Sequence, residues 1–317
     1  MRLAAYEHEG TSRVGVVERD AVHGLPSEAS LLDVLAASPA EREAIVAAAR
    51  ATTALDLISV RLLPPLHPAS VRDFVSFEQH VEGVEMRHGK PVSERWYASP
   101  SFLFMSPHNL VGANDPVPIP PGCELMDFEL EVAAVIGRDG RNLTPDRARD
   151  HIAGYAIFND WSARDVQGDE MRLGLGPAKG KDFASTLGPW LVTPDELEPF
   201  RRDDRLDLGL QVWINDDLLG GDRLTSMAWS FEELVAYASR FAWVRAGDLI
   251  ASGTCGSGAL AELWGRRGST QNPPPLRPGD VVRMTVDHIG TIENELVASD
   301  EPLVAIPPAR RRVSAPA

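Results

Sequence analysis

The segment Phe128-Glu129-Leu130-Glu131-Val132 constrains the fold most, because acidic and apolar residues alternate strictly along it. A strand repeats its side-chain direction every second residue. Glu129 and Glu131 therefore share one face, about 6–7 Å apart at the backbone, while Phe128 and Leu130 enter a core on the other. Neighbouring carboxylates repel each other unless a cation sits between them. Asp160, after a second apolar run, adds another hard oxygen ligand of the kind Mg²⁺, Mn²⁺ or Ca²⁺ accepts. The plain alternative is an acidic strand edge facing solvent.

The rest of the chain reads as strands with inserted helices. Leu206, Leu208, Leu210, Val212 and Ile214 alternate and predict a half-buried strand ending at the turn Asn215-Asp216-Asp217. Ser230 with Glu233 forms a capping box ahead of a helix through Leu234, Tyr237 and Phe241. Pro278-Gly279-Asp280 turns the chain into a strand from Val281 to Val286, with a hairpin at Gly290. This mixture predicts an α+β domain on coiled, mixed sheets.

Residues 1–68 read as a small N-terminal α/β module. Val14, Val16 and Val22 predict short strands, Ser30 opens a helical run through Leu31, Leu32, Val34 and Leu35, and an Ala-rich helix follows from Ala40 to Ala51. Pro64-Pro65 and Pro68 make a stiff boundary. The module holds no catalytic constellation and is expected to pack on a catalytic domain over residues 69–308, or to cover its site. Residues 309–317 are expected to form a disordered tail.

Lys and Arg number 31 against 46 Asp and Glu, a net charge of −15. That balance argues against nucleic acid or an anionic membrane as the main partner, since both need a basic patch. The basic run Arg310-Arg311-Arg312 lies in the Pro/Ala tail. Cys123 and Cys255 have no CxxC spacing, which argues against a disulfide framework or a zinc site. No apolar run of signal-peptide or membrane-span length is visible, so the expected location is the cytoplasm.

D-x-E-x-E at Asp127–Glu131, F-N-D-W-S-A-R-D-x-Q at Phe158–Gln167 and K-G-K-D-F at Lys179–Phe183 together resemble the fumarylacetoacetate hydrolase family. The resemblance implies the family's mixed β-sandwich roll, a homodimer, and hydrolysis of a carbon–carbon bond in a small β-diketo acid of the acylpyruvate or fumarylacetoacetate kind. Laid on this sequence, it makes Asp73 a further metal ligand beside Glu129, Glu131 and Asp160. His80 becomes the general base and Glu262 the carboxylate that orients it. Imidazole titrates near neutral pH, as such a base should.

Lys181 and Arg164 are candidate clamps for a developing oxyanion, and Gln167, one helical turn beyond Arg164, would face the same pocket. Arg164 could equally pair with Asp160 or Asp165. Thr254, in Ser252-Gly253-Thr254, matches the segment that holds the substrate's carboxylate end. The family's three pocket tyrosines are replaced by Val75, Leu103 and Met171, which points away from fumarylacetoacetate itself. Arg87 matches an arginine that binds a distal carboxylate.

Two other chemistries are weighed. The loop Gly174–Asp182 fails as a P-loop, because Leu175 stands at the first glycine and Asp182 where Ser or Thr should bind Mg²⁺. Cys255 as a nucleophile lacks any surrounding signature. Decarboxylation, hydration or tautomerisation of a related keto acid would use the same platform, and a catalytically silent binding homologue would keep it unused.

Overall fold

The computed structural model describes residues 1–26, 29–268 and 270–310. Most of the expected tail, 311–317, lies outside the described residues.

A twelve-stranded mixed sheet forms the frame. Its main path runs Leu55–Asp56, Ala21–Gly24, Thr11–Glu18, Arg2–His8, Ser185–Val192, Ile152–Asp160, Leu130–Ile136, Leu249–Ala251, Val71–Phe74 and Phe102–Met105. A five-stranded sheet that includes the hairpin Val281–Val286 and Gly290–Ala298 packs against one face. This is the α+β, sheet-dominated architecture expected.

Alternation along Leu130–Ile136 divides the core. Phe128, Leu130, Val132, Ala134 and Ile136 point towards the five-stranded sheet and join Leu210, Val212, Met284 and Ile292. Ala133 and Val135 point to the opposite face, which Leu31, Val34, Leu35 and Val46 of the N-terminal helices cover. Glu129 and Glu131 continue that second face beyond the apolar cover.

Residues 1–68 do not stand apart. Arg2 and Leu3 pair with Val192 and Leu191, so the N-terminal strands extend the sheet, and the helices Leu31–Ala36 and Pro39–Arg50 share its core. Ser30 caps the first of these helices with Asp33, and Ser230 caps Phe231–Ala238 with Glu233. That last helix stops short of Phe241, whose positive φ of 58° and 81% exposure place it in a turn. No helix among the described residues is long and apolar enough to cross a membrane.

Candidate active site

Three strands bring the carboxylates together. Asp73 lies opposite Ala251 in a parallel pair, Ala251 lies opposite Ala133, and Glu131 is the next same-face residue on that strand. Asp73, Glu129 and Glu131 are all buried, with one ligand oxygen each lying within 4.8 Å of the others. Asp160 ends the neighbouring strand, where its backbone N–H donates to the Glu129 carbonyl at 3.2 Å. Oδ1 of Asp73 and Oδ1 of Asp160 are buried without a hydrogen-bond partner among the described residues. Oxygen-only donors, concentrated negative charge and two orphaned acceptors fit a hard divalent cation.

Lys181 is buried beside these acids, its ammonium donating to Glu129 at 2.5 Å and also contacting Asp160. The loop before it is folded by Glu170, which accepts from the backbone N–H groups of Ala178, Lys179 and Gly180 at 2.8, 2.6 and 3.1 Å. Burial works against the Lys181 charge, but Asp160 and Glu129 outweigh it and its pKa rises. Burial likewise raises the Glu129 carboxyl, yet Lys181 and Arg164 hold it well below the usual range.

Arg164 pairs with neither Asp160 nor Asp165. Its Nε donates to Asp127 at 2.8 Å, Nη2 to Glu129 at 2.7 Å and Nη1 to Gln167 at 3.0 Å. It is an anchor for Glu129, and the Gln167 amide oxygen is occupied in holding it. Thr254 also has a partner in the site, its hydroxyl lying 3.5 Å from Glu131 beside a 3.1 Å bond from the Gly253 N–H. Gly253 has φ of 80°, and a Cβ there would lie 2.2 Å from the Phe74 carbonyl, so only glycine fits this approach.

His80 lies in the first turn of the helix Glu78–Met86, and its Nδ1 lies 3.2 Å from Oε2 of Glu262 on the helix Leu260–Arg266. Glu262 is fully buried and not on the surface of its helix. The Ser257 N–H and Arg266 also hold it, at 2.8 and 2.9 Å. The pair depends on two helices crossing closely. A Cβ at Gly265 would sit 1.8 Å from the Gly83 carbonyl oxygen, and one at Gly83 would sit 2.3 Å from Cγ of Glu262. Gly265→Ala should therefore destabilise the protein by about 1–3 kcal/mol through overpacking. It should also lower turnover by separating His80 from Glu262, with cation affinity retained. Chemical denaturation, turnover and a Mn²⁺ titration on one preparation check the three outcomes.

The remaining candidates scatter. Val75 and Leu103 are half-buried, Leu103 opposite Asp73 on the adjacent strand, and Met171 is 53% exposed at the end of the helix Arg164–Met171. Arg87 sits at the far end of the helix from His80, its guanidinium over the Trp264 ring at 5.9 Å. Cys255 is buried in the core, and burial pushes its thiol pKa well above normal, the reverse of what a thiolate nucleophile needs.

With the acids, the His80–Glu262 pair and Lys181 placed, one comparison decides the family: the family described as fumarylacetoacetate hydrolase C-terminal matches residues 69–297. The chain belongs to the fumarylacetoacetate hydrolase family. It is 36% identical over 195 residues to a mitochondrial oxaloacetate tautomerase of Xenopus laevis, a match covering 60% of this chain and 55% of that protein. The chain thus spans little more than half the length of that relative. A fumarylacetoacetate hydrolase from Exiguobacterium antarcticum superposes with a TM-score of 0.73 at 26% identity, over 94% of this chain and 100% of that one. A maleylpyruvate hydrolase from Sphingobium sp. SYK-6, in complex with manganese(II) and pyruvate, superposes at 0.71 with 24% identity, over 95% and 100%.

Within this family fold the acids of the cluster crowd one another. Burial, with the Glu129 charge, raises Asp73 to about 6 against the pull of Lys181. Burial and then the Asp73 charge push Glu131 well above its ordinary value. A carboxyl raised on folding contributes stability that is full below its unfolded pKa and lost as pH rises through the folded one. For Asp73 that window runs from 3.8 to about 6. The opposite shift of Glu129 acts below its ordinary value of 4.5, outside most of that window. Protein stripped of metal should lose roughly 5 °C in Tm as pH rises across this range, and Mn²⁺ should restore more stability at pH 7 than at pH 5. A Tm independent of pH in the chelated protein would count against the crowding.

Proposed function

We propose that this chain hydrolyses a carbon–carbon bond in an acylpyruvate-type β-diketo acid, using a divalent cation held by Asp73, Glu129, Glu131 and Asp160. The observation that carries the reading is the buried pair of His80 and Glu262, with Nδ1 of the imidazole 3.2 Å from Oε2 of the carboxylate. A bound Mg²⁺ or Mn²⁺ supplies Lewis-acid charge to oxygens that become negative.

The chain's own residues do the rest. Glu262 accepts from His80 Nδ1–H, which leaves the Nε2 lone pair to take a proton from water. The water oxygen bonds to the distal carbonyl carbon, and Lys181 donates to the oxygen that becomes negative. The bond to the central CH₂ then breaks. Its electron pair goes to the pyruvate fragment, which is protonated on carbon by the proton His80 holds. Acylpyruvate and water give one carboxylic acid and pyruvate.

The name of the Xenopus relative favours a second reading, tautomerisation of a keto acid such as oxaloacetate. That reaction moves a proton between carbon and oxygen and needs no water. An oriented base on His80 can take a proton from water or from carbon, so the products separate the two readings. Loss of enol ultraviolet absorbance across a panel of diketo acids, with and without Mg²⁺, joined to pyruvate detection, separates the two. Enol loss without any pyruvate would favour tautomerisation.

The family resemblance sets Val75, Leu103 and Met171 at the positions of the pocket tyrosines, and aliphatic groups there would offer few donors to a charged distal end. Placing a second carboxylate there carries an uncompensated desolvation cost, while an apolar wall separates chain lengths only modestly. The expected result is higher kcat/KM for apolar acylpyruvates than for fumarylacetoacetate. Arg87, engaged on Trp264, should not reverse that order. A preference for fumarylacetoacetate that disappears in Arg87→Ala would contradict it.

A further inference from the structure

We propose that Asp127 is a positioning residue that ties the cation half of the site to the base half. It is fully buried and its two oxygens are saturated. Oδ1 accepts from the backbone N–H of Phe128 and of Leu260, each at 2.8 Å. Oδ2 accepts from the Ala261 N–H at 3.0 Å and from Arg164, whose Nε and Nη2 both lie at 2.8 Å.

Each contact leads to a different part of the chemistry. The Arg164 fork turned onto Asp127 also places Nη2 on Glu129. The helix Leu260–Arg266 receives no side-chain cap from Ala259, so Asp127 meets its first N–H donors from across the sheet. Glu262 stands in that first turn and holds His80. One carboxylate therefore fixes both the guanidinium behind a cation ligand and the helix behind the base. An amide in its place keeps the shape but has one acceptor oxygen, and its NH₂ would face donors already aimed at it.

The proposal rests on the cation-dependent reading, and the experiment keeps the two apart. Mn²⁺ affinity is measured by calorimetry on wild type, Asp127→Asn, Arg164→Lys and, as a control, Ser30→Ala, which removes the cap of an N-terminal helix. Asp127→Asn and Arg164→Lys should each weaken Mn²⁺ binding by about 10–100-fold, the usual range for groups that orient metal ligands. Ser30→Ala should lower Tm and leave Mn²⁺ affinity at the wild-type value. At saturating Mn²⁺, Asp127→Asn should retain a kcat about tenfold below wild type with little change in KM, because the Glu262 helix is loosened. A folded Asp127→Asn protein with wild-type Mn²⁺ affinity would overturn the role of Asp127 alone. If that variant does not fold, Arg164→Lys decides: unchanged affinity overturns the link. Wild-type protein that binds no Mn²⁺ would overturn the functional reading, and this proposal with it.

Discussion

His80→Ala should lower the hydrolytic rate by about 10²–10⁴-fold, the range expected when a general base is removed, while Mn²⁺ affinity stays near wild type. The two expectations separate because the ring lies outside the acid trio Asp73, Glu129 and Glu131 and contacts Glu262 instead. Loss of the imidazole leaves Glu262 held by the Ser257 N–H and Arg266, so the helix pair has other anchors and the fold should survive. Turnover measured beside a Mn²⁺ titration checks both. Near-normal turnover in His80→Ala would put the tautomerase reading ahead, and a lost Mn²⁺ site would mean that the imidazole is itself a ligand.

Chelation should abolish activity, Mg²⁺ or Mn²⁺ should restore it, and Glu131→Gln should make the loss permanent. Gln has nearly the shape of the protonated acid, and Glu131 is the carboxyl that burial and Asp73 push towards that neutral form. In chelated protein the substitution should therefore raise Tm above pH 6, because Gln folds without the proton that Glu131 must take up. It should also weaken Mn²⁺ binding by more than the about 10–100-fold typical of outer groups, because an anionic ligand is lost. Higher stability joined to lost affinity is a combination that unfolding does not produce. Full activity in chelated enzyme would remove the cation from the account.

The parts of this molecule legible in sequence are those whose cause is local. Alternation at Phe128–Val132 assigned the carboxylate face and the core face correctly, and Ser230 with Glu233 marked a real cap, because both signals need only neighbouring residues. The extension of the sheet by Arg2–His8 was not legible: Leu3 meets Leu191 across most of the chain, and nothing in either segment names the other.

The site divides in the same way. Family motifs marked Asp73, Glu129, Glu131, Asp160 and Lys181, which the fold gathers, and His80 with Glu262, which it pairs. Arg164 was read as an oxyanion clamp, but its direction is set by Asp127, a residue of the D-x-E-x-E motif given no role. Gly83 and Gly265 were silent because a close helix crossing appears only when two distant helices meet, although a glycine inside each helix was the available sign. Arg87 matched by position along the chain, yet Trp264 supplies a contact that sequence order does not reveal.

The central claim is that His80 drives water onto a carbonyl of a diketo acid in a cation-loaded site. Turnover of an acylpyruvate in H₂¹⁸O with Mn²⁺, analysed by mass spectrometry, tests it most directly. The account predicts pyruvate and a second carboxylic acid carrying one ¹⁸O in its new carboxyl group, with both products suppressed in His80→Ala. An intact carbon skeleton, with the enol converted to its keto form and His80→Ala equally active, would contradict it.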